Sequence, residues 1–137
     1  MSPWVVLLVA SLGQTPAERG TCRVEQSFAR AQFEIAFAEM LAEPVVVVAD
    51  LTLAPRAATM WGAGRWWVHY NPSSLCPLPD EKGWSGVGPF VAHVARHEAC
   101  HALRHGAYLR GPRRDLAKGE RMRMELEAED CASERRR

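Results

Sequence analysis

The run His97-Glu98-Ala99-Cys100-His101 constrains the fold more than any other feature of the sequence. Two histidines at positions i and i+4 lie on one face of an α-helix, about 6 Å apart, so both imidazoles can reach one metal ion. Several residues near the motif are uncharged, as a helix buried in a protein core requires; they are Val94, Ala95, Ala102 and Leu103. The run therefore predicts a buried helix that binds a metal.

The pattern of donors suits Zn²⁺. A catalytic zinc commonly holds three protein ligands and a water whose pKa it lowers to about 7. We expect His97 and His101 to be two of these ligands and Glu98 to take the proton of the water as general base. The third ligand is not the histidine of the extended pattern, because Arg104 and Ala107 replace its glycine and its third histidine.

Several carboxylates follow on a predicted helix over residues 120–133. With this helix added, the chain resembles the gluzincin zinc metallopeptidases, especially minimal forms akin to the prenyl-protein peptidases and the ImmA/IrrE family. Those families carry a later E-x-x-A-[DN] motif, and alignment on Ala128 implies Glu125 as the third zinc ligand. It also implies Glu129 as the carboxylate that orients a ligand histidine. The resemblance covers about residues 21–133 and implies a metallopeptidase. From the pattern of charges alone, Glu127 is expected on a solvated helix face.

Two alternatives use the same histidines differently. In one, Cys76 is the third ligand of a zinc hydrolase. In the other, the domain is a non-catalytic, zinc-stabilised interaction module, which Glu98 argues against because a structural site needs only ligands. Among other polar residues, Tyr108 and His69 are candidates to stabilise an oxyanion.

Two further histidines extend the four-residue spacing of the motif, namely His93 and His105. Each step of four residues drifts about 40° around a helix. We therefore expect both side chains to lie off the metal-binding face and to play no part in the site.

Apolar periodicity and turn residues predict an α+β domain with a small, mostly antiparallel sheet packed against the metal helix and the Glu-bearing helix. Its helices are expected over 21–42, 90–105 and 120–133, and its strands over 45–49, 57–61 and 65–71. A single domain over 18–134 would end in a basic tail, 135–137. The resemblance implies that 65–71 is an edge strand to which a peptide or protein substrate adds.

Composition and the first residues bear on partners and compartment. The chain has 17 Lys and Arg against 16 Asp and Glu, a balance that argues against nucleic-acid binding. The apolar run Trp4–Leu12 is too short for a transmembrane helix, so residues 1–17 are expected to be a signal peptide or a buried strand. A secreted or periplasmic protein is the favoured prediction and a cytoplasmic one the alternative. A regulatory partner is expected to cover apolar surface beyond the third helix.

The cysteines do not decide the compartment. Their number fits two disulfides in an oxidising environment and four buried thiols equally well. They are Cys22, Cys76, Cys100 and Cys131.

Overall fold

The computed structural model describes residues 22–112 and 114–136, so the expected signal peptide or strand at 1–17 lies outside the described residues. Three helices and a three-stranded sheet confirm the α+β class. In chain order the elements are α1 (Gln26–Leu41), β1 (Val45–Ala49), β2 (Ala57–Gly62), β3 (Arg65–Tyr70), α2 (Val87–Arg110) and α3 (Lys118–Arg136).

The sheet has the order β1-β3-β2. A two-residue turn with positive φ at Ala63 (51°) and Gly64 (73°) joins β2 to β3 as an antiparallel hairpin, as the sequence predicts. The outer side of β3 pairs with β1 in parallel, so the sheet is mixed and the prediction of a mostly antiparallel sheet is wrong. The prediction that substrate adds along 65–71 is also wrong, because β3 is the central strand and both its edges are occupied.

The helices α1 and α2 cover one face of this sheet. Trp66 and Tyr70 project from that face of β3, and their rings lie 6.4 Å from Phe37 and 5.7 Å from Phe33 of α1. In α2, Gly106 lies against the same Trp66, whose Cζ2 would be 3.9 Å from an added Cβ. Helix α3 packs on α2. The domain therefore has a helix-on-sheet core with the metal-binding motif at its centre.

Helix α1 carries apolar residues on more than one side. Phe28 and Ile35 belong to an apolar series spaced by three and four residues, but their side chains are 37% and 48% exposed. The face that packs on the sheet carries Ala29, Phe33, Ala36 and Phe37. Apolar residues occupy more than one side of this helix, so periodicity alone does not select the side that meets the sheet.

The ends of the other two helices also differ from the predictions. Helix α2 does not end before Gly106 but continues to Arg110, with non-helical backbone angles at His105 (φ −119°, ψ 20°). Helix α3 reaches Arg136, so the predicted basic tail at 135–137 begins inside a helix. In the part of the chain that the structure describes, no helix is long and apolar enough to cross a membrane.

Two disulfides connect the elements. Cys22–Cys76 ties the segment before α1 to the loop that precedes α2, and Cys100–Cys131 ties α2 to α3. The loop is also anchored by the buried guanidinium of Arg56, which donates to the Ser74 carbonyl oxygen and forms an ion pair with Glu81. The proline- and glycine-rich loop is therefore fixed to the body of the domain.

Candidate metal centre

His97 and His101 converge as the motif predicts. Their Nε2 atoms are 3.1 Å apart, and both side chains are at least 98% buried. Three residues of the motif, His97, Glu98 and His101, each offer a ligand atom within 4.8 Å of the others. The cluster therefore has the density of donors that a metal ion requires.

Glu125 of α3 completes this cluster. Its Oε2 lies 3.0 Å from Nε2 of His97, and its Oε1 lies 3.1 Å from Nε2 of His101. Within residues 22–112 and 114–136, Oε1 is a buried oxygen that accepts no hydrogen bond. Nε2 of His97 and Nε2 of His101 thus each lie close to one oxygen of the Glu125 carboxylate.

The separations of 3.0 and 3.1 Å join each Nε2 atom to a different oxygen of Glu125. They are hydrogen-bond distances, and they also lie within a few tenths of an ångström of the roughly 3.3 Å between neighbouring ligand atoms of a tetrahedral metal site. Two imidazoles and one carboxylate also form a ligand set typical of catalytic zinc.

Glu98 faces the cluster from the same helix and is held by the sheet. Thr59 of β2 donates its hydroxyl to Oε1 of Glu98 at 2.7 Å. No described residue hydrogen-bonds to the other oxygen, Oε2, which is buried. One oxygen of the carboxylate is therefore fixed, and the other is left to interact with a small molecule at the site. Sequence analysis missed Thr59, because nothing in the local pattern links it to a motif 39 residues away.

Glu129 contacts His97, the residue pair that the resemblance leads us to expect. Its Oε1 lies 2.8 Å from Nδ1 of His97, the ring nitrogen that faces away from the cluster. The same carboxylate accepts from Nε2 of His93 at 2.8 Å. The prediction that His93 plays no part in the site is therefore wrong, because it contacts the carboxylate that contacts His97.

His105 and Glu127 lie next to His101, on the side of its Nδ1 atom. The Nδ1 atoms of His101 and His105 are 3.1 Å apart, and Nε2 of His105 lies 2.9 Å from Glu127. Glu127 is exposed, as expected for a solvated face, but it has a partner there. The expectation that His105 lies off the site is wrong, because its Nδ1 contacts Nδ1 of His101.

Burial and hydrogen bonding shift the pKa values of the ionisable groups at the site in different directions. Burial opposes the charge on His97, but hydrogen bonds with Glu125 and Glu129 outweigh it and raise the pKa of this imidazole to about 10. Burial dominates at His101 and lowers its pKa to about 4. Burial also raises the pKa of Glu98 to about 7. Without a metal, the positive charge at the site is therefore on His97.

Three other candidates are engaged elsewhere. Tyr108 donates its hydroxyl to the carbonyl of Arg114 in the α2–α3 connection. His69 pairs with Ala58 in the sheet and therefore projects from the face opposite Thr59 and α2. The alternative in which Cys76 is a zinc ligand is wrong, because its sulfur is bonded to Cys22.

Comparisons with protein-family models, curated proteins and solved structures return no match. The resemblance to gluzincins therefore rests on the two sequence motifs.

Proposed function

We propose that the protein is a zinc metallopeptidase of the gluzincin type, with His97, His101 and Glu125 as metal ligands and Glu98 as general base. The observation that carries the proposal is the convergence of three buried donors from two helices beside a fourth residue, Glu98, with one free carboxylate oxygen. A structural zinc site has no need of such an oxygen.

The chemistry follows from the positions of these groups. Zinc held by the three ligands supplies a Lewis acid that makes water nucleophilic at neutral pH. Glu98 accepts a proton from the water that attacks the peptide carbonyl and transfers it to the nitrogen of the leaving amine, so the C–N bond breaks without an added acid. Thr59 holds the other oxygen of Glu98 during both transfers.

The edge strand that contacts the motif is β2, whose Thr59 hydrogen-bonds to Glu98. An extended peptide that pairs with this edge would lie along the metal helix, which replaces the binding mode expected for 65–71. Since Ala57, Ala58, Thr59 and Met60 are all buried, substrate binding at this edge requires the residues that cover it to move.

A second candidate function is favoured by the burial of the site. His97, Glu98, His101 and Glu125 are each at least 96% buried, which suits a zinc ion that stabilises an interaction module. The two proposals differ in whether Glu98 has a chemical role.

Purified wild-type protein and Glu98→Gln separate these functions. We expect both proteins to bind one equivalent of zinc, and only the wild type to cleave a mixed peptide library assayed by mass spectrometry. Equal cleavage by both proteins would refute the role of Glu98. Zinc binding without cleavage by the wild type would support the interaction module, and a wild type without zinc would refute both.

A further inference from the structure

His101 needs a specific tautomer to bind a metal through Nε2. A neutral imidazole carries one proton, so a ligand that coordinates through Nε2 carries that proton on Nδ1. The atom opposite Nδ1 must then accept a hydrogen bond. For His97 this acceptor is the carboxylate of Glu129. For His101 the atom in this position is Nδ1 of His105, at 3.1 Å.

A histidine nitrogen is an acceptor only if its proton is on the other nitrogen of the ring. In His105 that other nitrogen is Nε2, and it lies 2.9 Å from Oε1 of Glu127. A carboxylate only accepts, so Glu127 selects the form of His105 with its proton on Nε2. The choice of tautomer at His105 then fixes the tautomer of His101. Nε2–H of His105 donates to Glu127, and Nδ1–H of His101 donates to Nδ1 of His105.

We propose that His105 and Glu127 form a positioning pair that fixes the tautomer and ring orientation of the metal ligand His101. The proposal rests on the proposed function, in which His101 binds the metal. The pair does for His101 what Glu129 does for His97, but with a histidine between the carboxylate and the ligand. The two Nδ1 atoms are in contact within one helix, at a residue whose backbone angles are non-helical.

The burial of His105 and of Glu127 indicates how much each residue contributes to zinc affinity. His105 is 91% buried, so the loss of its nitrogen leaves Nδ1 of His101 without an acceptor in a site that excludes water. Glu127 is about half exposed, and water can replace it in part. Loss of an outer partner of a metal ligand typically lowers metal affinity about 10- to 100-fold. We expect a loss in this range for His105 and a smaller one for Glu127.

The test measures zinc affinity by competition with a chromophoric chelator, which requires no substrate. His105→Leu removes the acceptor, whereas His105→Asn places an oxygen near the position of Nδ1. We expect about 10- to 100-fold weaker binding for the first variant and recovery of most of the affinity in the second. The visible spectrum of the Co²⁺-substituted protein should be altered in His105→Leu and close to wild type in His105→Asn.

Glu127→Ala provides an independent variant at an exposed position, where folding is not at risk. It should weaken zinc binding in the wild-type background and have no further effect in His105→Leu, since the coupling runs through His105. Glu134→Ala is the matched control, because Glu134 is an exposed glutamate of the same helix whose nearest cation, Arg104, is 3.9 Å away.

The outcomes separate this inference from the proposed function. A wild type that binds no zinc overturns both. A wild type that binds zinc no more tightly than His105→Leu overturns the positioning pair alone. Equal losses in His105→Leu and His105→Asn also overturn it, because the side chain would then act by packing and not as a hydrogen-bond acceptor.

Discussion

Glu98 and Glu125 are two buried carboxylates beside the same histidines, and their neighbours give them different properties. Burial raises the pKa of Glu98 to about 7, so its carboxylate can accept and release a proton near neutral pH. Burial also opposes the charge of Glu125, but the imidazoles of His101 and His97 beside it outweigh burial and lower the pKa of this carboxyl. Glu125 is therefore suited to be a permanently charged ligand and Glu98 to be a base.

Glu125→Ala should remove most of the zinc affinity. The substitution deletes one of three ligands, so the loss should exceed the roughly 10- to 100-fold cost of removing an outer partner. Chelator competition measures the loss, with Glu134→Ala as the exposed control on the same helix. Undiminished binding by Glu125→Ala would contradict the gluzincin assignment even if the two histidines proved to be ligands.

Zinc binding should release a proton from His97. A metal binds the neutral imidazole, whereas in the metal-free protein the pKa of His97 is raised to about 10. Affinity should therefore keep rising between about pH 7 and pH 8.5, by about tenfold per pH unit, because a higher pH removes the competing proton. His101 adds nothing in this range, since burial lowers its pKa to about 4.

Calorimetry in buffers of different ionisation enthalpy counts the released protons at each pH. Two ordinary histidines would give an affinity that levels off above about pH 7.5. If zinc affinity levels off in this way and no proton is released, the ion pair with the two carboxylates does not keep His97 protonated.

At the level of elements, the hydrogen bond from Thr59 joins the edge strand β2 to the metal helix α2. Thr59→Val keeps the shape of the side chain but leaves the buried carboxylate of Glu98 without a donor. The free energy of unfolding should fall by about 1–3 kcal/mol, as measured by urea denaturation. In a Glu98→Ala background the same substitution should cost much less. Equal costs in both backgrounds would mean that Thr59 acts through packing alone.

For the molecule as a whole, the Cys100–Cys131 disulfide fixes α3, and with it Glu125, on the metal helix. The sequence separation of 31 residues corresponds to a loss of about 3–4 kcal/mol when the crosslink is removed. We expect the double variant Cys100→Ala/Cys131→Ala to unfold at lower urea concentration and to bind zinc more weakly.

The matched control removes the other crosslink, Cys22–Cys76, which should cost comparable stability with less effect on zinc affinity, since it joins elements that carry no ligand. Unchanged stability of the Cys100/Cys131 variant would contradict the role of this disulfide. All four cysteines of the chain are paired, which supports the proposal of a secreted or periplasmic protein.

The sequence determined the features that depend on neighbouring residues. His97 and His101 share a face because helix geometry puts residues i and i+4 together, whatever surrounds the helix. The strand at 45–49 follows from its β-branched residues, and the hairpin follows from its turn. The spacing of Glu125 and Glu129 on one helix face is local as well.

Only the tertiary structure decided which faces meet. The docking of α3 on α2 selected Glu125 as the carboxylate between the two Nε2 atoms and gave His93 a partner in Glu129. The order of the strands made β3 central, and the sheet brought Thr59 to Glu98. These contacts join residues that are distant in the chain, and their energies depend on burial and hydrogen bonding, which local periodicity does not contain.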